Sequence, residues 1–486
     1  MKGVYLGVDI GTTNMKILIL GSDGEVKKIY KELTPKYISQ GSEFLDITLV
    51  ERFVFSTIEK VKRVENVLGI AFSSFGESIV PIKNGKRLHD PLMWYDKATI
   101  KYWKSHESKL SHQTPYLITG VNNDYTFSIH KIRWYKDHKI IADIWLPVSS
   151  YLAYKLCGRA TWDYSQACRT FAFNVHSRKW NYDLLKELGL NIENFGELLY
   201  TGELVGMTSD NIPIYSAGHD HITGLFAIAL LIDSEEFIFD SMGSASVIAA
   251  VLKEKKNELH LNSPFMIGGT LGVAFEDKQY YLESSIRHYG RLLQWVLNLI
   301  GEKLDSSTFN RLNNEINNFL VFPVRPIFLV NGDLFLRDKI EGVTLHESPL
   351  EINPARLMQS AYIYLAASSK LIIDTLKKFF KNNYTIIAGG GGTLNNTLMT
   401  YKASLLDKEI HVFPINETTA LGAALAAAKG SEDMQTIKNV RKSYPMKTFV
   451  PDKILGKKLK ITVEKIYKDY REIQKEWREL DAFSQS

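Results

Sequence analysis

Residues 4–20 constrain this chain more than any other stretch. An apolar run, Val4-Tyr5-Leu6-Gly7-Val8, ends on Asp9-Ile10-Gly11-Thr12-Thr13-Asn14, and a second apolar run leaves carrying Lys16. Two β-rich runs about a tight turn predict a hairpin. At its tip Gly11 lets backbone approach a ligand closely, and the tip amides with the Thr12 and Thr13 hydroxyls offer donors to phosphate oxygens. Asp9, at the strand end, suits a hydrated magnesium ion, which favours one or two carboxylates completed by phosphate oxygens. Lys16 adds positive charge of the kind that favours a transferring phosphoryl group. The same residues also suit a hairpin whose Asp and Thr side chains only build the turn. On this stretch alone the two readings stand level.

Two distant segments break the tie. Residues 237–248 (Phe-Ile-Phe-Asp-Ser-Met-Gly-Ser-Ala-Ser-Val-Ile) are again strand, small polar turn, strand. Residues 384–396 are a buried-type strand running into Gly389-Gly390-Gly391-Gly392 and then a helix start. Four glycines in a row cost chain entropy on ordering, so mere flexibility is a poor reason to keep them. Hairpin, second hairpin and late glycine-rich strand, in that order, resemble the sugar-kinase, actin and heat-shock ATPase superfamily. Within it, the whole chain resembles the FGGY family of carbohydrate kinases. The resemblance implies an α/β protein of two ribonuclease-H-like domains (the actin-like ATPase fold) with an interdomain active-site cleft. It divides the chain into residues 1–232, with the sugar site and first phosphate hairpin, and residues 233–486, with the nucleotide site and a helical tail from about 431.

Composition agrees. A chain of 486 residues exceeds one ordinary core and suits two. Its 45% hydrophobic and 23% charged residues belong to a soluble globular protein. A net charge of +5, carried by scattered Lys and Arg, gives no argument for nucleic acid. Cys157 and Cys168 form neither a metal spacing nor a disulfide framework, which points to a reducing compartment. No leader-like run opens the chain and no uncharged run reaches the roughly 18 residues needed to cross a bilayer. The expectation is a cytoplasmic protein with a small-molecule sugar or polyol partner and neither membrane nor nucleic acid; the resemblance adds a homodimer, since family members are often dimers.

Along the chain the patterning predicts a third strand over 25–33, a helix over 44–64, a strand over 67–73 and a helix over 146–156. A strand from 212 ends at Gly218-His219-Asp220-His221, and a small-residue apolar helix over 222–232 reads as part of the hinge. Later come strands over 265–273 and 279–282, helices over 285–300 and 355–380, a strand over 384–388, and helices over 418–426 and 463–480. Residues 127–134 resemble the first FGGY signature, departing from it at Thr126 and Tyr135, and read as a structural loop-to-helix joint.

Phosphoryl transfer needs a positioned acceptor hydroxyl, a proton acceptor, metal-bound phosphates and a closed, dry cleft. Asp220 stands where the catalytic Asp of FGGY kinases stands, and a carboxylate there can take the proton of the attacking hydroxyl. It also suits a cap on a helix starting at His221; the two roles are compatible. His221 fits either a substrate contact or a structural position. The resemblance further implies that Asp9 is the metal-linked acid, that Gly11, Thr12, Thr13 and Lys16 serve the phosphates, and that Ser244 stands where the second turn usually has Gly-Thr. It makes Gly290 and Gln294, followed by Trp295, border the nucleotide, and Gly390, Gly391 and Asn395 the adenosine motif.

For the acceptor it implies Gly76, Glu77, Trp94 and Asp96, beside Asp220 and His221. Glu77 is either a double hydroxyl acceptor or a solvated loop acid. Glycerol kinases would have Arg-Glu at 76–77 and an Arg shortly after Asp96; both arginines are missing, which disfavours glycerol. The Met-His pair of xylulose kinases is missing too, and Phe75-Gly76 with Gly218-His219-Asp220 looks closer to deoxyketose (fuculose-like) kinases. Gln359 falls where the second FGGY signature usually has Glu. The expected function is an ATP- and Mg2+-dependent kinase of a ketose, polyol or sugar acid. Two competitors share the fold. An actin- or chaperone-like ATPase is opposed by residues 127–134 and 290–295, and a sugar sensor without catalysis by the presence of both Asp9 and Asp220.

Overall fold

The computed structural model describes residues 2–107, 115–187, 189–232, 234, 236–243, 245–253, 269–318, 327–331, 342–346, 353–380 and 384–484. Two sheets organise it. The first has six strands in the spatial order Leu204–Met207, Pro213–His219, Val67–Ser74, Val4–Ile10, Asn14–Gly21 and Val26–Leu33. Val4–Ile10 pairs antiparallel with Asn14–Gly21 and parallel with Val67–Ser74. The second has seven, in the order Thr270–Val273, Gln279–Ile286, Ser246–Lys253, Phe237–Met242, Thr385–Gly389, Ile410–Val412 and Lys447–Phe449. Its Phe237–Met242 likewise pairs antiparallel with Ser246–Lys253 and parallel with Thr385–Gly389. The ribonuclease-H-like plan, three antiparallel strands continued by parallel ones, therefore occurs twice in an α/β chain.

The burial of each strand follows from its neighbours. Val4–Ile10 is buried at all seven positions and reads as an unbroken apolar run, as a strand covered on both faces must. Val26–Leu33, at the edge, carries three lysines and no fully buried residue, which blunts an exposed edge against further pairing.

Two helices join the halves. Asp220–Leu231 follows the first sheet, and Thr418–Gly430 arrives from beyond the second yet lies on the first. Small residues allow that approach: a Cβ on Gly7 would lie 1.9 Å from the Ala420 carbonyl oxygen, and one on Gly422 would lie 2.1 Å from that of Thr223. One apolar cluster consequently runs from Tyr5 and Ala217 through Phe226 and Ala424 to Phe239 and Ile387.

Several boundaries differ from expectation. A hairpin, Lys36–Ser39 with Ser42–Leu45, occupies the start of the predicted 44–64 helix. The helix begins at Ile47, where the Asp46 side chain accepts from the Leu49 amide at 3.0 Å. Likewise 146–147 close the strand Ile144–Pro147 before the helix Val148–Cys157, and Trp162-Asp163 belong to the strand Thr161–Asp163. Gln279–Ile286 extends past 282 because it pairs with Ser246–Lys253 out to Ser246 against Ile286, so the next helix starts at Tyr289, not 285. The predicted strand 265–273 is described only as Thr270–Val273, residues 265–268 lying outside the described set. The tail contains the helices Met434–Ser443 and Lys453–Ser484. Among the described residues no helix is long and apolar enough to cross a membrane.

Candidate active site

Asp9 and Lys16 face each other across the first hairpin. The Lys16 ammonium lies 3.6 Å from the Asp9 carboxylate and 2.5 Å from that of Glu417, which precedes the Thr418–Gly430 helix. Asp9 is buried and its Oδ1 has no hydrogen-bond partner among the described residues. Burial pushes its pKa up to about 7 against the opposing pull of Lys16, with Asp220 and Glu417 adding repulsion. An unpartnered buried carboxylate oxygen of this kind fits a metal ligand. Beyond it, the Gly11 amide donates to the Asn14 carbonyl and the Thr34 hydroxyl to the Gly11 carbonyl, pinning the turn that presents Thr12 and Thr13.

Asp220 opens the Asp220–Leu231 helix as its first residue; His219, not Asp220, holds the cap position, and no side chain closes it. The capping reading of Asp220 therefore gives way to a first-turn acid, a favourable place for negative charge. Its Oδ1 accepts from the His221 amide at 2.8 Å and lies 3.4 Å from His219 Nε2 and 3.7 Å from His221 Nε2. Thr419 from the second half donates to its carbonyl oxygen.

The strand before it bends to aim this acid. Its register slips between Ser216 and Gly218, where φ is +89° and a Cβ would strike the Asp163 and Ser165 side chains at 2.4 Å. Buried Asp163 accepts from Ser165, Thr201 and Ser216, and the Ser165 hydroxyl in turn accepts from the His219 amide. His219 is buried, and its pKa falls well below the usual imidazole value through lost hydration, with Arg169 and His221 adding to the shift.

The acceptor candidates separate into two groups. Glu77 is buried, not solvated, at φ +65°, and Arg169 Nε donates to it at 2.6 Å. The neighbouring Gly76 has no room for a side chain: a Cβ would sit 2.7 Å from His219. Trp94 Nε1 donates to Thr12 Oγ1 at 3.0 Å, so this loop touches the tip of the first hairpin directly. Asp96, by contrast, is committed to the scaffold. Its oxygens accept from the Glu43 amide at 2.7 Å and the Ala98 amide at 2.8 Å, capping the turn Lys97–Thr99. The joint over 127–134 is structural as expected: buried Lys131 donates to the carbonyls of Trp94 and Thr126.

On the other sheet Gly390, at φ +88°, passes so close to Met242 that a Cβ would lie 2.6 Å from its carbonyl oxygen, while a Cβ on Gly391 would meet nothing within 4 Å. A bare-backbone surface is thus held against the second hairpin. Asn395 is a helix cap rather than a free contact: it accepts from the Leu398 amide and from Asn313 and donates to Tyr362. Gly290 and Gln294 lie on the helix Tyr289–Leu299, where Gln294 donates to Asn298. Ser244 lies outside the described residues.

Models of the FGGY family of carbohydrate kinases match residues 4–227 with their N-terminal domain and 241–431 with their C-terminal domain. This chain belongs to that family. Among relatives, glycerol kinase 1 of Lactiplantibacillus plantarum is 27% identical over 482 residues, covering 92% of each chain. In fold the chain is similar to a gluconate kinase from Lactobacillus acidophilus (TM-score 0.83, 16% identity, 98% of each chain covered). It is similar also to a xylulose kinase from Rhodospirillum rubrum (TM-score 0.84, 15% identity, 99% of this chain and all of the other). As an FGGY protein it is a sugar or polyol kinase, a phosphotransferase acting on an alcohol group, for which ATP is the implied donor. The spread of acceptors among these relatives leaves the substrate to the chemistry of the site.

Reading by motif missed Arg169, Glu283, Asp163 and Glu417. Each is a charged residue with no charged neighbour in sequence, and only the folded chain brings it to its partners.

Proposed function

We propose that this FGGY protein transfers the γ-phosphoryl group of ATP to a hydroxyl of a ketose, such as a pentulose or deoxyketose, or of a polyol or sugar acid, with Asp220 as the base. The observation that carries this reading is Asp220 itself. It is a partly exposed carboxylate at a helix start, close enough to Asp9 and Glu283 to add to the rise in pKa that burial gives both. In the transfer the acceptor oxygen forms a bond to the γ-phosphorus, the bond to the bridging β-phosphate oxygen breaks, ADP leaves, and the hydroxyl proton passes to Asp220.

Asp9 would hold magnesium through its unpartnered oxygen, phosphate oxygens and water completing the shell; when bound, the ion neutralises charge on the phosphates. Gly11, Thr12, Thr13 and Lys16 receive phosphate at the first hairpin and Ser244 at the second, and the Gly390–Gly391 backbone takes the purine alongside Gly290 and Gln294. Gly76, Glu77, Trp94 and His221 line the acceptor side. The two units meet near residue 232, and closure over the acceptor shuts out water, which would otherwise compete as acceptor. The proposed place is the cytoplasm, in keeping with Cys157 and Cys168, both free.

The test is coupled ADP release with ATP and magnesium over ketopentoses, deoxyketoses, tetritols, glycerol and gluconate. One acceptor raising turnover well above the acceptor-free rate is expected. Release indifferent to every acceptor would instead make the protein an ATPase, and no release with ATP still bound would make it a sensor.

A further inference from the structure

The Arg169 guanidinium touches both halves of the molecule. Its Nε and Nη2 each lie 2.6 Å from Glu77 Oε1 in the first half. Its Nη1 lies 3.4 Å from Glu283 Oε1 and 3.2 Å from the Thr270 hydroxyl, both on the second sheet. Phe127 lies under the guanidinium, its ring centre 5.5 Å away. Gly76 leaves the space that this side chain crosses: a Cβ there would come within 3.3 Å of the Arg169 Cγ.

This bridge is incomplete in an informative way. Glu283 is buried, and its second oxygen, Oε2, has no partner among the described residues. Leaving a buried carboxylate oxygen bare is costly, so a ligand that donates a hydrogen bond to it gains more than the same contact would give in water. A Cβ on Gly76 would meet both His219 and Arg169, so the bridge adjoins the corner that carries Asp220, and Asp220 and His221 act on Glu283 electrostatically.

The charges choose the ligand. Arg169 is already shared between two carboxylates, and Asp220 adds a third acid. His219 stays neutral in its buried setting and offsets none of them. Lys131, the other buried cation nearby, is turned onto the carbonyls of Trp94 and Thr126. An acceptor bearing its own carboxylate would meet these acids where, among the described residues, Arg169 and Lys131 are already engaged, whereas an uncharged polyol or ketose brings hydroxyl donors that fit both glutamates.

We propose that Glu77, Arg169 and Glu283 form a selectivity clamp across the cleft: Arg169 fixes the two glutamates, and Glu283 Oε2 accepts a hydroxyl of an uncharged polyhydroxy acceptor, excluding sugar acids. The inference rests on the kinase reading above and narrows its substrate class. Arg169 is a positioning residue here, and Glu283 the one that touches the acceptor.

The experiment pairs acceptors of one carbon skeleton, xylitol with xylonate, glucitol with gluconate and glycerol with glycerate, alongside xylulose and fuculose, in ADP-release kinetics. The wild-type protein is expected to use the best neutral acceptor with kcat/KM at least tenfold above every acid. Glu283→Gln keeps the shape and removes the charge. It is expected to raise KM for the neutral acceptor about tenfold, with kcat changed less than threefold and KM for ATP unchanged, and to narrow the neutral-to-acid ratio. Arg169→Lys is expected to move the same ratio, and thermal unfolding of both variants separates this from a loss of fold. Preference for a sugar acid, or a ratio untouched by either folded variant, overturns the clamp while leaving the kinase standing. No acceptor-dependent turnover on any compound overturns the kinase reading and the clamp with it.

Discussion

Asp9 is a buried acid whose charged form costs the fold stability. A carboxyl whose pKa climbs from 3.8 to about 7 on folding favours the folded state while it is protonated. That contribution is complete below about 3.8 and is lost as pH rises through about 7. Ligand-free Asp9→Asn should therefore melt higher than the parent at pH 8, by about 1–3 °C, and by about half as much at pH 5.5, which lies midway between the two pKa values. Differential scanning calorimetry at the two pH values checks this; equal gains at both would show that burial of the charge is not the cause. The same variant should lose most of its turnover, since an amide is a poor magnesium ligand and lacks the charge.

Buried Asp240, the counterpart of Asp9 on the second hairpin, is by contrast fully partnered. It accepts from Ser246 and pairs with Lys402, whose ammonium also reaches the Tyr289 hydroxyl. Lys402→Met leaves that acid buried without its cation and should cost about 3–5 kcal/mol, whereas Asp240→Asn with Lys402→Met should recover most of the loss. Urea denaturation of both variants distinguishes them, and a double variant as unstable as the single one would contradict the pairing.

At the scale of elements, the two hairpins and the glycine-rich strand were legible in sequence because their signals are local. Alternation and apolar runs mark the strands, and glycine marks the places where backbone must come close. The errors came where pairing at a distance overrode local pattern. The strand ending at Ile286 outlasts its sequence signal because Ser246–Lys253 supplies a partner along its full length. The hairpin before Asp46 was hidden by apolar residues that also suited a helix. Asn395 and Asp96, at motif positions, also cap the turns that follow them, since Asn and Asp satisfy orphan amides as readily as they bind ligands. Helix packing gives its own prediction. Gly422→Ala forces Thr418–Gly430 away from the Thr223 carbonyl and should cost about 1–3 kcal/mol, read as a lowered unfolding midpoint. An unchanged midpoint would mean the two helices are free to separate.

At the scale of the whole molecule, side chains from both halves converge around Asp9, Asp220 and Glu283. Asp9 and Lys16 come from the first hairpin, Asp220 from the helix that leaves the first sheet, and Glu417, Thr419 and Glu283 from the second half. No sequence window contains that set, which is why motif order revealed the family while the acid and arginine lining of the cleft stayed hidden. The most direct test of the account compares wild-type protein with Asp220→Asn in acceptor-dependent ADP release, with ADP affinity measured in parallel by calorimetry. The account predicts turnover lowered by on the order of 10²–10⁴ at unchanged ADP affinity. Near-normal turnover in Asp220→Asn would contradict it and remove Asp220 as the base.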